Sequence, residues 1–410
     1  MSGVARRIVH GLLGRITVGR LTVVEDGTET VFGAGDGPRA VVHVRDAAAW
    51  PWLLKGSSGL GESYARGYWD TPDLTALIRI AARNTHELDE VRRRLGPIRE
   101  PFQRLRSARS TQTQSKKDIA RHYDLGNDLF ELMLDPTMMY SSAYFAEPGM
   151  SLEDASLAKL ELVSSKLALG PRDHVLEIGT GWGGFAVHAA KTTGCRVTTT
   201  TISREQHDWA ARRIREEGVE DRVELLLQDY RTLEGSYDKL VSIEMIEAVG
   251  WKDFGTFFDR CSALLRPHGA MALQAITIDD RLYEAEKASR SFMKTLIFPH
   301  GCLPSVEVLA RSVARRGDLR IVDLEDITAH YPETLRHWRA NVEAASERLS
   351  RLGYDERFQR LWRLYLSFCE AGFAERRIGD VQLVLAKPRW QGRLATRDAV
   401  APPAVAAASG

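Results

Sequence analysis

The sequence contains few cysteines, no long apolar run and almost no net charge. Its cysteines, Cys195, Cys261, Cys302 and Cys369, are widely spaced and form neither a CxxC pair nor a Cys/His ligand pattern. We therefore expect no metal site and a reducing, cytoplasmic setting. No apolar run is long enough to span a bilayer. Residues 1–20 lack the continuous apolar core of a signal peptide, which favours the same location.

A formal net charge of +1 on 410 residues gives no global field that would attract nucleic acid, so we expect no nucleic-acid partner. The 44% hydrophobic and 27% charged content is typical of a globular protein, and the length allows two domains. The charge is unevenly distributed, because residues 92–121 contain ten arginines and lysines and few acids. Such a segment is usually a solvated linker, but it can also lie on an anionic surface.

Residues 1–95 predict a small α+β domain that contacts lipid or a partner. Val4, Ile8, Leu12, Leu13 and Ile16 are spaced for one face of a helix surrounded by arginines. This helix either packs on its own domain or lies at a membrane interface. Short β-branched runs between residues 21 and 44, separated by Asp-Gly turns, predict a small antiparallel β unit.

The remaining chain divides into a basic linker at 96–118, a large domain at 119–390 and a disordered tail at 391–410. In the large domain, apolar β-rich runs alternate with helical patterns, which predicts an α/β fold: a Rossmann-like, mostly parallel, doubly wound sheet with a helical cover. The predicted strands are 174–178, 195–200, 223–227, 237–243, 270–276, 319–324 and 381–386. The predicted helices of the last third are 279–294, 305–316, 331–353 and 356–372.

The first strand of this domain leads into the pattern Glu177-x-Gly179-x-Gly181-x-Gly183. Glycines let the backbone approach a ligand closely, and the helix that follows offers free N–H groups. The acid followed by alternating glycines fits an S-adenosylmethionine (SAM) methyltransferase better than a dehydrogenase. Alone, however, the pattern is also compatible with a plain glycine turn.

The ends of the next two strands offer further cofactor contacts. The second strand has no acid at its tip, so Thr201, Ser203 and Gln206 must contact the ribose, unless they merely cap the following helix. Asp229 follows the third strand, where it can accept a hydrogen bond from the adenine amino group. An Asp in a strand-end turn is otherwise common.

Several stretches of the large domain together form a recognisable set. They are Ala120–Asp128, Tyr140–Phe145, Leu176–Gly184, Thr201–Ser203, Leu227–Arg231, Phe298–Ser305, and His330-Tyr331 with Thr334, Leu335 and Trp338. With them, the chain resembles the cyclopropane fatty acid synthase family, which includes the mycolic acid cyclopropane synthases and related lipid methyltransferases. The resemblance covers about residues 117–390 and extends to the extra amino-terminal domain of the bacterial phospholipid-modifying members through residues 60–64 and 69–70.

The resemblance implies SAM as methyl donor and the cis double bond of an unsaturated acyl chain of membrane phospholipid as acceptor. It also implies that Cys369 matches the cysteine assigned as the family's active site, although a cysteine on an apolar helix is more often packed in the core. Cofactor-contacting positions by this resemblance are Tyr140, Ser141, Gly179, Gly181, Thr201, Gln206, Gln228, Asp229 and Tyr230.

In the cyclopropanating members, the resemblance implies a bound bicarbonate as base, held here by Glu247, Tyr331 and the backbone of Ile276. Ser142 replaces the family's cysteine at this site, and Gln274 replaces its histidine. The imidazole that titrates near neutrality is therefore missing. These differences favour a methylene-branched product, as in 10-methyl-branched fatty acids, over a cyclopropane.

The alternatives are a cyclopropane-fatty-acyl-phospholipid synthase with a changed base site, a non-catalytic lipid- or SAM-binding module, and a small-molecule methyltransferase. A saturated methyl branch would require a separate reductase, because the chain has a single nucleotide site. We expect a peripheral protein that contacts the inner face of the membrane transiently. A homodimer is compatible with the sequence.

Overall fold

The computed structural model describes residues 2–85, 126–289, 291–298 and 301–392. These residues form two compact units. The first comprises the described parts of Met1–Ala108, Ala288–Pro299 and Leu335–Ile378, and the second comprises those of Arg109–Lys287, His300–Thr334 and Gly379–Gly410. Within the described ranges, no helix combines the length and apolarity required to cross a bilayer. Most of the predicted linker and tail lies outside the described residues, so the predicted boundaries remain predictions.

The first unit contains a four-stranded sheet with the order β2-β1-β3-β4. The prediction of an antiparallel unit is wrong for one pair, because β1 and β3 are parallel, with Leu21 opposite Ala40. The physical reason is the path of the chain: β2 reverses direction beside β1, and β3 reverses it again on the other side of β1. The elements are α1 (Ser2–Leu13), β1 (Arg20–Glu25), β2 (Thr28–Phe32), β3 (Arg39–Val44), α2 (Ala49–Leu53), α3 (Ser57–Ala65), β4 (Trp69–Asp70) and α4 (Leu74–Arg83).

The buried face of α1 differs from the predicted one. Ala5 and Val9 are buried against the sheet, whereas Val4 is 56% exposed and Ile8 is 41% exposed. Ile16 is buried as predicted, but it lies beyond the end of the helix. The helix thus packs on its own domain through Ala5 and Val9 and leaves Val4 and Ile8 largely in solvent.

The carboxyl-terminal helices of the first unit are fastened to its amino-terminal part by charged contacts. The buried Glu370 accepts hydrogen bonds from Thr75 Oγ1 and Arg339 Nη2, both at 2.9 Å. The Arg360 guanidinium lies 4.1 Å from the centroid of the Tyr64 ring. These helices are the last part of α12 (Tyr331–Ala344), α13 (Ser346–Arg351) and α14 (Glu356–Ala374).

Two predicted helices are wrong as continuous helices. The segment 331–353 is divided at Ala345 into α12 and α13. The segment 279–294 is a 3-10 turn at Asp280–Leu282, then α10 (Tyr283–Ala288), followed by a π-helical turn at Met293–Ile297. At this point the chain packs on α3, where the Phe292 N–H donates to Ser57 Oγ at 3.2 Å.

The second unit confirms the predicted α/β class. Its seven-stranded sheet has the order β10-β11-β9-β8-β5-β6-β7, with parallel pairs from β9 to β7 and an antiparallel β10–β11 pair. The strands are β5 (His174–Ile178), β6 (Arg196–Thr201), β7 (Val223–Leu227), β8 (Tyr237–Ile243), β9 (Leu265–Ile278), β10 (Arg320–Asp326) and β11 (Ile378–Ala386). The helices are α5 (Asn127–Met133), α6 (Leu152–Lys166), α7 (Gly184–Thr193), α8 (Arg204–Glu216), α9 (Phe254–Leu264), α10, α11 (Val306–Arg315) and the start of α12.

Both faces of this sheet are buried. Leu176 and Leu240 belong to one apolar cluster, whereas their strand neighbours Val175 and Val241 belong to another that includes Phe185. Because parallel strands covered on both sides have no solvent face, their residues are apolar almost without interruption. Ligands of such folds bind at the carboxyl ends of the strands, and the predicted residues Gly179, Thr201 and Gln228 lie at the ends of β5, β6 and β7.

The close packing of α3 provides a stability test. A Cβ added at Gly61 would lie 2.5 Å from Cδ2 of the buried Phe292 ring. We expect Gly61→Ala to lower the free energy of unfolding by about 1–3 kcal/mol, the usual cost of overpacking a core, as measured by chemical denaturation.

Gly11→Ala is the matched control, because Gly11 also lies in a helix of this unit but a Cβ there would meet no atom within 4 Å. We expect it to be neutral or to stabilise by up to about 1 kcal/mol, since alanine favours the helix. Equal effects of the two substitutions would contradict the packing argument.

Candidate active site

The glycine loop between β5 and α7 has a backbone that needs glycine at several positions. Gly179, Gly181 and Gly183 have φ values of +106°, +53° and +83°, all in the left-handed region. A Cβ on Gly181 would meet no atom within 4 Å, so the space in front of this residue is open. A Cβ on Gly184 would lie 2.5 Å from Met139 Sδ, which explains the fourth glycine by packing. The loop therefore combines an open space with a helix that begins directly behind it.

Glu177 stabilises this loop through a short chain of hydrogen bonds. Its buried carboxyl accepts a hydrogen bond from Thr199 Oγ1 at 2.6 Å, and Thr199 in turn is hydrogen-bonded to Thr180 Oγ1 at 2.7 Å. Burial raises the pKa of Glu177 to about 8. The observed partners give Glu177 a role in holding β6 and the loop together. Its predicted contact with the cofactor stays a prediction.

The residues at the end of β6 largely bond to one another. Thr201 Oγ1 donates to Gln206 Oε1 at 2.8 Å, and Ser203 caps α8 by accepting from the Gln206 N–H at 3.3 Å. Capping is thus the observed role of Ser203. The ribose contact of Thr201 and Gln206 stays a prediction.

At the end of β7, Asp229 forms a double hydrogen bond with Arg231. The distances are 3.0 Å from Nε to Oδ1 and 2.7 Å from Nη2 to Oδ2. Gln228 Nε2 donates to the Thr232 carbonyl at 2.9 Å, and the Tyr230 ring packs edge-on against Phe257. Burial raises the pKa of Tyr230. Both carboxylate oxygens of Asp229 thus accept from Arg231, and its predicted contact with the adenine stays a prediction.

A buried lysine of α6 contacts the segment that precedes this helix. Lys159 Nζ donates to Ser141 Oγ at 2.8 Å, and burial lowers the pKa of Lys159 to about 8. The neighbouring Tyr140 packs edge-on against Phe130, which contacts Trp182 of the glycine loop. Lys159 was missed in the sequence, although a lysine among the apolar residues of α6 was a signal for a buried charge.

The predicted base site is organised around Glu244, which was not among the predicted site residues. Its Oε1 accepts hydrogen bonds from the Ser142 backbone N–H at 2.9 Å and from Gln274 Nε2 at 2.8 Å. Its Oε2 accepts from the Tyr331 hydroxyl at 2.6 Å. The structure therefore brings Ser142, Gln274 and Tyr331 together as predicted, but around a carboxylate of the protein.

Two details of the predicted base site differ from the expectation. The Ser142 hydroxyl donates to the Ala143 carbonyl at 3.0 Å, so only the backbone of Ser142 contributes to the cluster. The Ile276 N–H donates directly to Glu247 Oε1 at 2.5 Å. Glu247 Oε2 is buried and has no hydrogen-bond partner in the described part of the chain. Burial and the neighbouring Glu244 raise the pKa of Glu247 to about 8.

A third carboxyl, Asp380, completes this buried cluster. Gln274 Nε2 also donates to Asp380 Oδ2 at 3.0 Å, and Gln382 Nε2 donates to Gln274 Oε1 at 3.0 Å. Burial and the negative Glu244 and Glu247 raise the pKa of Asp380 well above its ordinary value. Three carboxyls packed together in this way cannot all be ionised at neutral pH. At neutral pH at least one of these carboxyls therefore holds a proton, and an ionised one can accept a proton.

A signal for Glu244 was present in the sequence. It follows strand β8 directly, as Asp229 follows β7, and the carboxyl ends of parallel strands form the ligand-binding edge of such a sheet. Asp380 offered no comparable signal, because it is more than a hundred residues away from Glu244 and Gln274 in the chain.

Cys369 lies on α14 in the first unit, whereas all the other predicted site residues lie in the second. Burial raises the pKa of its thiol to about 12. A thiol with such a pKa is not ionised at neutral pH, so Cys369 is a poor nucleophile. Among the described residues, no cluster of His, Cys, Asp and Glu is suited to holding a metal ion.

Comparison with known proteins identifies relatives for almost the whole chain. Residues 110–383 match the family described as mycolic acid cyclopropane synthetase. The tuberculostearic acid methyltransferase UfaA1 of Mycobacterium tuberculosis is 39% identical over 362 residues, covering 86% of this chain and 84% of the relative. The cyclopropane-fatty-acyl-phospholipid synthase of Escherichia coli K12 is 37% identical over 341 residues, covering 81% of this chain and 82% of the relative.

The solved structures agree with this assignment. The mycolic acid cyclopropane synthase CmaA1, in complex with SAH and CTAB, superimposes with a TM-score of 0.62 at 28% identity, covering 66% of this chain and 98% of that one. The family match over residues 110–383 includes the βα alternation and the glycine loop that predicted a methyltransferase. The chain therefore belongs to the mycolic acid cyclopropane synthetase family and is a SAM-dependent methyltransferase.

Proposed function

We propose that this enzyme transfers a methyl group from SAM to the cis double bond of an unsaturated fatty acyl chain in membrane phospholipid and forms a methylene-branched chain. The observation that carries the proposal is the 39% identity with a tuberculostearic acid methyltransferase over most of both chains. The glutamine and serine at the base site are consistent with it, because they depart from the cyclopropanating members.

The glycine loop fits SAM, since the space in front of Gly181 is open and the loop leads into the amino terminus of α7. When bound, SAM supplies an electrophilic methyl group on a sulfonium sulfur. The proposed contacts are Tyr140, Ser141, Gly179, Gly181, Gly183, Thr201, Ser203, Gln206, Gln228, Asp229 and Tyr230, with Glu177 as support.

The acceptor supplies the electron pair for the new bond. The π pair of the alkene forms a bond to the methyl carbon, the carbon–sulfur pair stays on sulfur, and the neighbouring chain carbon becomes a cation. A hydride shift from the methylated carbon to that cation moves the positive charge to the methylated carbon. Loss of a methyl proton then leaves a methylene group (C=CH2) as a branch on the chain. The protein must exclude water, which would trap the cation. The burial of Ser142, Gln274 and Tyr331 serves this purpose.

Cyclopropane formation is the second candidate, favoured by the 37% identity with a cyclopropane-fatty-acyl-phospholipid synthase. It differs only in the last steps: without a hydride shift, the electron pair of the broken C–H bond closes a ring. Either route needs a base at the same place. Bicarbonate is the base that the family resemblance suggests.

The lipid substrate requires contact with a membrane. We propose a transient contact with its inner face, where anionic headgroups attract basic segments. The exposed Val4 and Ile8 on α1 and the arginines of residues 92–121 are the candidates. Reduction of the methylene to a methyl branch would fall to a separate reductase. A homodimer is compatible with this arrangement.

Gly181→Asp tests the cofactor site. The new carboxylate would fill the open space and repel the SAM carboxylate, so we expect SAM binding to be lost in calorimetry. Gly218→Asp is the matched control, since Gly218 also has a left-handed φ, +65°, and open space for a Cβ. Unchanged SAM affinity in Gly181→Asp would refute the placement of the cofactor.

The product is tested by incubating the enzyme with SAM and vesicles of oleoyl phospholipid. Both candidate products add 14 mass units, but only the methylene product keeps a double bond. We expect the modified chain to react in double-bond-sensitive derivatisation before mass spectrometry. A product that no longer reacts would establish the cyclopropane route instead.

A further inference from the structure

Glu244 occupies a backbone conformation that glutamate does not favour. Its φ is +47°, in the left-handed region, and its N–H donates a hydrogen bond to the carbonyl oxygen of Gln274 at 2.9 Å. Such a residue costs on the order of 1–3 kcal/mol in a folded protein and persists where its surroundings fix it, often at a functional site. A glycine would adopt this conformation without strain, so the side chain itself must provide the benefit.

The side chain lies where the resemblance places the bicarbonate of the cyclopropanating relatives. Of the donors expected to face that anion, the Gln274 amide and the Tyr331 hydroxyl point at the Glu244 carboxylate, and so does the backbone N–H of Ser142. The Ile276 N–H, also expected there, donates to Glu247. A separate bicarbonate would have to compete for these donors and would add a negative charge to a cluster of carboxyls that cannot all be ionised even without it. The residues present therefore do not fit a bound bicarbonate.

We propose that the Glu244 carboxylate is the catalytic base of this enzyme and takes the place of bicarbonate. This inference rests on the proposed transfer of a methyl group to an alkene, and it holds for either product. A carboxylate oxygen of Glu244 forms a bond to a proton of the transferred methyl group. The electron pair of the broken C–H bond then becomes the second bond of the methylene group or closes the ring.

The surroundings suit a group that alternates between the ionised and the protonated form. The backbone N–H and the side-chain amide stabilise the carboxylate, and Tyr331 can donate to it. Burial raises the pKa of Glu244, so the carboxylate is a stronger base than one in water. Asp380, which is linked to Glu244 through Gln274, can take part in removing the proton.

Glu244→Gln keeps the shape of the side chain but removes the base. With SAM and oleoyl phospholipid in buffer freed of carbon dioxide, we expect the native enzyme to turn over normally. We expect Glu244→Gln to bind SAM normally in calorimetry and to lose about 10²- to 10⁴-fold in kcat, the usual contribution of general base catalysis. Near-native turnover of Glu244→Gln would overturn the assignment, and so would loss of native turnover on removal of bicarbonate.

Glu244→Gly relieves the backbone strain and leaves a space lined by the same donors. We expect it to bind sodium [¹³C]bicarbonate, detected by NMR without any lipid, whereas the native enzyme does not. Added bicarbonate or formate should restore part of its turnover. Ala168→Gly is the matched control, because Ala168 has a φ of +49° outside this cluster. We expect it to behave like the native enzyme.

These measurements separate the two proposals. If the native enzyme does not modify phospholipid, the proposed function fails, but bicarbonate binding by Glu244→Gly and not by the native enzyme still supports the anion position. If Glu244→Gly does not bind bicarbonate, or the native enzyme binds it equally well, the assignment of Glu244 is overturned even when lipid methylation is confirmed.

Discussion

The active-site edge of the second unit depends on one half-buried carboxylate that joins distant parts of the chain. Glu244 follows β8, and its partners come from the segment before α6, from β9 and from the start of α12. A charge that is largely removed from water is tolerated only when hydrogen bonds satisfy it. The need to satisfy this one side chain therefore fixes the positions of Ser142, Gln274 and Tyr331 at the carboxyl edge of the sheet.

The donor side of the active site follows a different principle. Its glycine loop is defined by backbone conformation, and the side chains around it mostly serve to hold the loop. Glu177, Thr199 and Thr180 form a buried chain of hydrogen bonds under the loop, while Ser203 caps the next helix. A loop that binds the cofactor through its backbone can have the same form in many enzymes. A few side chains elsewhere on the same edge of the sheet can then change the reaction.

The division of the chain into two units also has a physical basis. The helices after Leu335 belong with the amino-terminal part because Glu370 and Arg360 are satisfied there, by Thr75 and by the face of the Tyr64 ring. The chain thus leaves the first unit, forms most of the second and returns. A division drawn along the sequence cannot reveal such a return, since nothing local in residues 335–378 marks it.

The sequence by itself determined the α/β class, the seven strands and the glycine loop, because each depends on local patterns of apolar residues and glycines. It also indicated Ser142, Gln274, Glu247 and Tyr331 as one group, through resemblance to relatives. Only the tertiary structure decided that the carboxylate of Glu244 lies between Ser142, Gln274 and Tyr331. The hydrogen-bond partners of Glu244 come from three separate segments of the chain. They meet only because of the order of the strands in the sheet and the direction of the chain at the strand ends. A left-handed φ at Glu244, which aims its carboxylate, leaves no mark in the sequence.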